Sequence, residues 1–267
     1  MLRPFIIAVI PTNKRADVLS RALKSVEKQT MRPNLTLLVI EDDNDIPNIE
    51  LNYPVKIIVN KRKRSLSGAV NQALEEIVKL GHERDLDPVF TWIALLDDDD
   101  WWDLRYIEKC VCAIDSNSQQ IVTGLIRYDI DNPTGMKLPI PENLGKESFL
   151  AKNPNIQGSN LFLRMDAFVE VCGFDESLLS CTDRDICIRL FDRGRHEWVR
   201  IDEHLVHHDA SLSGRISDVG SYRKKMGLLK FAEKYRSIMT EEIWEEFVHI
   251  SLTRFKIDLQ GMKNLNP

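Results

Sequence analysis

No stretch of this sequence stays apolar for the roughly 18 to 20 residues that a bilayer-spanning helix needs, so no transmembrane segment is expected. The short apolar run Phe5 to Ile10 lacks a small-residue cleavage site and is closed by Pro11, so it reads as a core strand and not as a targeting peptide. Cysteine is sparse. The five present (Cys110, Cys112, Cys172, Cys181, Cys187) are odd in number and show no C-x-x-C spacing. That excludes a disulfide framework and a zinc site and points to reduced thiols in a cytoplasmic protein. Excess positive charge is also missing, since the formal net charge is -5, and no nucleic-acid partner is expected. Internal repeats and low-complexity segments are absent. The 267 residues suffice for one sizeable α/β domain with a small appendage.

What is present is alternation. Phe5–Ile10, Leu35–Ile40, Val55–Val59 and Val89–Leu96 read as strands, the last apolar enough to be buried on both faces. Between them, Ala16–Gln29 and Leu66–Leu80 carry apolar residues at helical spacing. This order predicts an α/β fold with a mainly parallel central sheet flanked by helices. Open sheets of that kind bind ligands at the carboxyl ends of their strands. Three polar clusters stand there: Pro11-Thr12-Asn13, Glu41-Asp42-Asp43 and Asp97-Asp98-Asp99-Asp100.

The second half is less regular. Gln120–Tyr128, Ser159–Arg164 and a segment near Glu197–Ile201 read as strands, Met165–Cys172 and Asp183–Arg193 as helices, and Asp131–Asn155 as a long loop. From Val219 to about Gly261 the pattern is helical and charged. The expected division is residues 1–215 as the main domain, with halves 1–115 and 116–215, and 216–267 as a C-terminal helical extension.

Four consecutive aspartates repel one another unless a cation neutralises them or some are protonated. Hard oxygen donors suit Mn2+ or Mg2+, which are held by a few carboxylates together with substrate phosphates. The competing reading is a solvated turn capping a helix that starts near Asp103.

The chain resembles the family 2 glycosyltransferases, whose fold is called GT-A. The likeness rests on Ala8-Val9-Ile10-Pro11-Thr12-Asn13-Lys14-Arg15, Val39-Ile40-Glu41-Asp42-Asp43-Asn44, Gly68-Ala69-Val70-Asn71-Gln72-Ala73 and Leu96-Asp97-Asp98-Asp99-Asp100, the last similar to their D-x-D motif. It continues through Gly158-Ser159-Asn160-Leu161-Phe162-Leu163-Arg164, Gly173-Phe174-Asp175-Glu176 and Thr182-Asp183-Arg184-Asp185. Each motif is loose alone; their shared order is specific.

The resemblance implies an inverting transfer of a sugar from a nucleotide-diphosphate donor, UDP-linked by preference, to a hydroxyl on a glycan, lipid-linked or other acceptor. Pro11, Thr12, Asn13, Arg15, Asp42, Arg64 and Asn71 are then donor-site residues, with Asp97 and Asp98 beside them. Asp99 is the first metal ligand and His208, in His-Asp-Ala-Ser-Leu-Ser, a further one; Asp100 is the fallback if the register slips by one. Lys63 is the alternative to Arg64 at the diphosphate, and Asp185 and Trp101 are secondary candidates, Trp101 either stacking on a sugar or packing. Asp183 is the expected general base, or else the N-cap of the helix that follows. Where relatives carry Glu before that Asp, this chain has Thr182.

Two other readings stay open. A sugar-1-phosphate nucleotidyltransferase needs a Gly-rich loop after the first strand to cradle a triphosphate, and Pro11–Ala16 has no glycine. A non-catalytic sugar-binding module would keep the fold alone. The C-terminal helices are expected to pack on their own core, with contact to a second copy or to the inner face of a membrane as alternatives.

Overall fold

The computed structural model describes residues 3–13, 15–42, 51–193 and 198–259. Its first half is β1 (Phe5–Pro11), α1 (Ala16–Glu27), β2 (Leu35–Ile40), β3 (Val55–Val59), α2 (Leu66–Arg84), β4 (Thr91–Leu95), β5 (Trp101–Trp102) and α3 (Tyr106–Cys112). The second half is β6 (Gln120–Tyr128), β7 (Met136–Lys137), β8 (Leu161–Arg164), α4 (Met165–Glu170), α5 (Thr182–Asp192), β9 (Trp198–Asp209), α6 (Tyr222–Tyr235) and α7 (Glu241–Phe255).

The strands form one sheet in the order β3-β2-β1-β4-β8-β6-β9-β5, with β7 on the flank of β6. The half β3-β2-β1-β4 is parallel. Beyond it β8 runs antiparallel to both β4 and β6, β9 returns parallel to β6, and β5 closes antiparallel on β9. Strands β1, β2 and β4 are buried almost throughout because both faces are covered. Side chains alternate across the sheet with period two. Ile7, Val9, Leu37, Val39, Ile93 and Leu95 face a core shared with α2, α5, α6 and α7. Ile6, Ala8, Ile10, Leu38, Trp92 and Ala94 face the core of α1 and α3.

Register places the chemistry. Pro11 lies opposite Val39, and Val9 opposite Leu95, so the segments leaving β1, β2 and β4 emerge at one edge. Thr12 N–H donates to the Val39 carbonyl at 2.8 Å and Leu96 N–H to the Val9 carbonyl at 2.9 Å, carrying the alignment one residue past each strand.

Several boundaries differ from the sequence pattern. Helix α3 starts at Tyr106, and β5 intervenes between it and the aspartates, so the acidic run does not cap a helix. The stretch 131–155 contains β7 and a 3-10 turn, Lys146–Phe149, whose Phe149 is fully buried. Strand β9 is far longer than the expected segment near Glu197–Ile201; Glu197 itself lies outside the described residues. It continues because β6 pairs with it, through a bulge, as far as Tyr128↔Asp209. Helices α6 and α7 bury Phe231, Trp244 and Phe247 in the same core as α5. Among the described residues no helix is long and apolar enough to cross a membrane.

Candidate active site

The strand ends border a cleft of about 600 Å³. Pro11, Thr12, Asn13, Arg15, Arg64, Asp97, Asp98, Asp99, Asp183 and His208 all line it, as does Glu41. The acidic run is held rigidly. Thr12 Oγ1 donates to Asp98 Oδ2 at 2.7 Å. Arg15 Nη1 reaches Asp98 Oδ1 at 3.2 Å and Asp99 Oδ2 at 2.8 Å. Asp100 is fully buried and takes hydrogen bonds from Ser159 Oγ (2.6 Å), Gln157 Nε2 (3.1 Å) and the Asp209 N–H (3.1 Å). Arg21 ties the back of the turn, donating to the Asp99 carbonyl at 2.7 Å and to Asp209 Oδ2 at 2.6 Å.

Asp97, Asp99 and Asp100 can bring one oxygen each to within 4.8 Å of the other two. Burial raises the Asp97 carboxyl well above its ordinary range, with Asp100, Asp99 and Asp183 adding to it. Burial also raises Asp99, with Asp100 adding to the effect, and raises Asp98 despite Thr12 and Arg15. These directions describe a site short of positive charge. Hard oxygen donors and an unbalanced charge fit a divalent cation such as Mg2+ or Mn2+.

His208 stands behind this group. Its Nδ1 lies 3.1 Å from Asp100 Oδ1, and its Nε2 lies 3.1 Å from Arg215 Nη2. Its Nδ1 also lies 2.7 Å from Gln157 Nε2, so the ring is held between Gln157, Asp100 and Arg215. His208 therefore meets the aspartates through Asp100.

Asp183 opens α5, and the preceding Cys181 takes the left-handed conformation with φ of 65°. Its Oδ1 accepts from the Gly158 N–H at 3.0 Å. A Cβ built on Gly158 would lie 3.9 Å from Asp183 Oδ1 and 3.9 Å from Asp97 Oδ1, so the glycine separates the two carboxylates at the floor of the cleft. Burial lifts the Asp183 carboxyl to about 6, against the Gly158 hydrogen bond and the Lys224 charge, which lower it.

Other residues singled out by motif lie elsewhere. Asn71 joins α2 to the following half: Nδ2 donates to the Phe174 carbonyl at 2.8 Å and Oδ1 accepts from Phe174 N–H at 2.8 Å. Asp185 is fully buried away from the cleft, between Arg189, Lys234 (2.6 Å) and Tyr235 Oη (2.7 Å). Lys63 donates to the Glu176 carbonyl at 2.7 Å. Trp101 stacks on His207 at 4.9 Å under Arg21 and borders a separate depression. Asp42 lies 3.7 Å from Arg64 Nη2, while its neighbour Glu41 is the acidic residue lining the cleft. Asp43 is outside the described residues. Gln157, Arg21, Asp209 and Arg215 were not foreseen; Gln157 and Asp209 had a local signal, standing next to Gly158 and to His208 of their motifs.

A parallel half-sheet joined to a mixed half, with carboxylates gathered at the seam, is the GT-A arrangement. Structures of S. aureus TarS 1–349 share it at a TM-score of 0.59 and 13% identity, covering 96% of this chain and 76% of that one. The same protein in complex with UDP-GlcNAc gives 0.54 at 12% identity, covering 91% and 78%. The mannosyltransferase PcManGT from Pyrobaculum calidifontis, in complex with GDP-Man and Mn2+, gives 0.59 at 12% identity, covering 95% and 72%. At such identities the likeness is one of fold.

The sequence matches glycosyl transferase family 2 over residues 7–171, and the chain belongs to that family. It is 26% identical over 143 residues to the galactofuranosyltransferase GlfT1 of Mycobacterium tuberculosis, in strains CDC 1551 / Oshkosh and ATCC 25618 / H37Rv. That match spans 52% of this chain and 45% of the relative, about half the length of each.

Proposed function

We propose that this chain transfers a sugar from a nucleotide-diphosphate donor, UDP-linked by preference, to an acceptor hydroxyl, in a divalent-metal-dependent reaction that inverts the anomeric carbon. The observation that carries this reading is the placing of Asp97, Asp99 and Asp183 on one cleft, with Asp100 buried beside the first two and Gly158 between Asp97 and Asp183. Similarity to chains bound to UDP-GlcNAc and to GDP-Man with Mn2+ supports a nucleotide-sugar donor.

Asp97, Asp99 and Asp100 would hold the metal, with His208 orienting Asp100. Bound there, a divalent cation offsets the negative charge of the departing diphosphate. Thr12 and Arg15 fix the acidic turn, and Glu41, Asp42 and Arg64 border the nucleoside side. The acceptor hydroxyl oxygen forms its bond to the anomeric carbon as the bond to the diphosphate oxygen breaks. Asp183 takes the hydroxyl proton. A single displacement from the face opposite the leaving group inverts the centre.

The test is nucleoside diphosphate release from a panel of UDP- and GDP-sugars with Mn2+ or Mg2+, followed by anomeric analysis of the product. Release of UDP that is lost in Asp99→Asn and Asp183→Asn supports the reading. Pyrophosphate release, or metal-independent turnover with Asp99→Asn fully active, overturns it.

A further inference from the structure

Among the described residues that line the cleft, the acidic side chains are Glu41, Asp97, Asp98, Asp99 and Asp183, with Arg15 and Arg64 paired to them. The lining contributed by β6, the segment after β7, the segment after β9 and the C-terminal helices is instead basic: Arg127, Lys152, Arg215, Arg223, Lys224 and Arg254. Some of these charges are spent. Arg127 pairs with Asp129 at 2.7 Å, Lys152 with Glu246 at 2.7 Å, and Arg215 donates to the Asp209 carbonyl at 2.6 Å.

Among the described residues no carboxylate stands within ion-pair distance of Arg223, Lys224 or Arg254. Lys224 Nζ lies 4.3 Å from the Phe255 ring and 3.9 Å from Cys181 Sγ, and Arg254 lies 5.4 Å from the same ring. Burial lowers Lys224, with Cys181 and Asp183 opposing and Arg184 and Arg254 adding to it. Folding thus brings like charges together beside an open cavity, at a cost that an arriving anion would repay. Cations converging from two helices suit phosphate, whose several oxygens accept from several donors at once, including forked guanidinium donors.

We propose that the end of the cleft formed by Arg223, Lys224 and Arg254 receives a phosphate group of the acceptor, so that the sugar passes to a hydroxyl of a phosphorylated molecule and not to a neutral glycan. The proposal rests on the glycosyl-transfer reading above. Lys224 and Asp183 line the same cleft, so a phosphate held at Lys224 would bring a neighbouring hydroxyl to the side of Asp183.

Glycerol 1-phosphate, inorganic phosphate and phosphatidylglycerol vesicles are titrated into the full chain with excess UDP and Mg2+, with glycerol and phosphatidylcholine vesicles as neutral controls. Glycerol 1-phosphate is expected to bind at least about tenfold more tightly than glycerol, and Arg223→Gln/Arg254→Gln to lose about that factor. Both arginines are exposed, so the variant keeps its melting temperature. Lys24→Gln/Lys28→Gln on α1, outside the cleft, is expected to leave the binding unchanged. A stronger response to the anionic vesicles assigns the phosphate to a lipid, and a stronger response to the ester assigns it to a soluble acceptor. Equal binding of glycerol and its phosphate, or equal losses in the two double variants, overturns the proposal. Failure of UDP to bind would instead defeat the glycosyl-transfer reading, with the phosphate titration still legible by itself.

Discussion

Gly158 donates its backbone N–H to Asp183 Oδ1 across 3.0 Å, joining the start of β8 to the start of α5. The bond aims the carboxylate at the cleft and leaves the other oxygen to meet a substrate. It favours the charged form, yet burial prevails and the carboxyl sits at about 6. Transfer should therefore rise with pH through about 6 and then level, as a base of that pKa loses its proton. Asp183→Asn should lower kcat by about 10²- to 10⁴-fold with little change in donor KM. A pH–rate profile flat from 5 to 8 would remove Asp183 from the base role.

The same shift has a stability consequence. Folding raises this pKa from 3.8 to about 6, so between those values the folded chain keeps a proton that the unfolded chain has lost. Stability contributed by the group is present below the lower value, falls as pH climbs through the window, and is fully lost above it. Asp183→Asn should therefore melt higher than the parent near pH 7, and the difference should vanish near pH 4. Thermal melts at the two pH values, without metal or nucleotide, make the check.

Arg15 bridges the carboxylates of Asp98 and Asp99. Removing it leaves those buried carboxylates with less compensation. Arg15→Gln should lower the melting temperature of the metal-free protein, and Mg2+ or Mn2+ should raise it by more than in the parent. Ligand linkage makes that increment a measure of metal affinity. Equal increments in parent and variant would mean that Arg15 does not stand in for cation charge.

Asp185 and Asn71 show where motif and role part company. Spacing aligns both with glycosyltransferase motifs, but the side chains join buried networks. Asp185→Ala leaves the Tyr235 hydroxyl without its acceptor and takes one carboxylate from Arg189 and from Lys234, which keeps Asp175, and should cost roughly 2 kcal/mol in denaturant unfolding, as leaving buried donors unpaired does. Donor KM should not move; a large KM effect at unchanged stability would return Asp185 to the site.

The parallel half was readable because β1, β2 and β4 are buried on both faces, which leaves continuous apolar runs. Strand β9 was not, because its exposed Asp202 and Glu203 and its histidines hide the pairing with β6 that extends it. The acidic run announced itself because adjacent like charges need a counter-ion. Two of its supports did not: Arg21 and Arg215 arrive from separate elements, and no local pattern marks a convergence made by tertiary contacts. Asp42 was read as the donor-site acid of its pair, whereas Glu41 lines the cleft, because which of them faces it depends on the path of the chain after β2.

Gly227 packs against the segment that leads into Asp183. It lies on α6 where a Cβ would come 2.2 Å from Ser180 Oγ and 2.6 Å from the Ser180 backbone nitrogen, so the helix packs against main chain that cannot swing aside. Ser180 leads into Cys181, whose left-handed turn launches α5 and with it Asp183. Gly227→Ala must push α6 and this segment apart. Overpacking of this kind costs about 1–3 kcal/mol. Because the displaced segment carries Asp183 and not the aspartates at the end of β4, kcat should fall while nucleotide and metal affinities hold. Equilibrium binding of UDP with Mn2+, compared with turnover in the same preparation, separates the two. A parallel loss of both would mean that α6 supports the whole cleft and not the base alone.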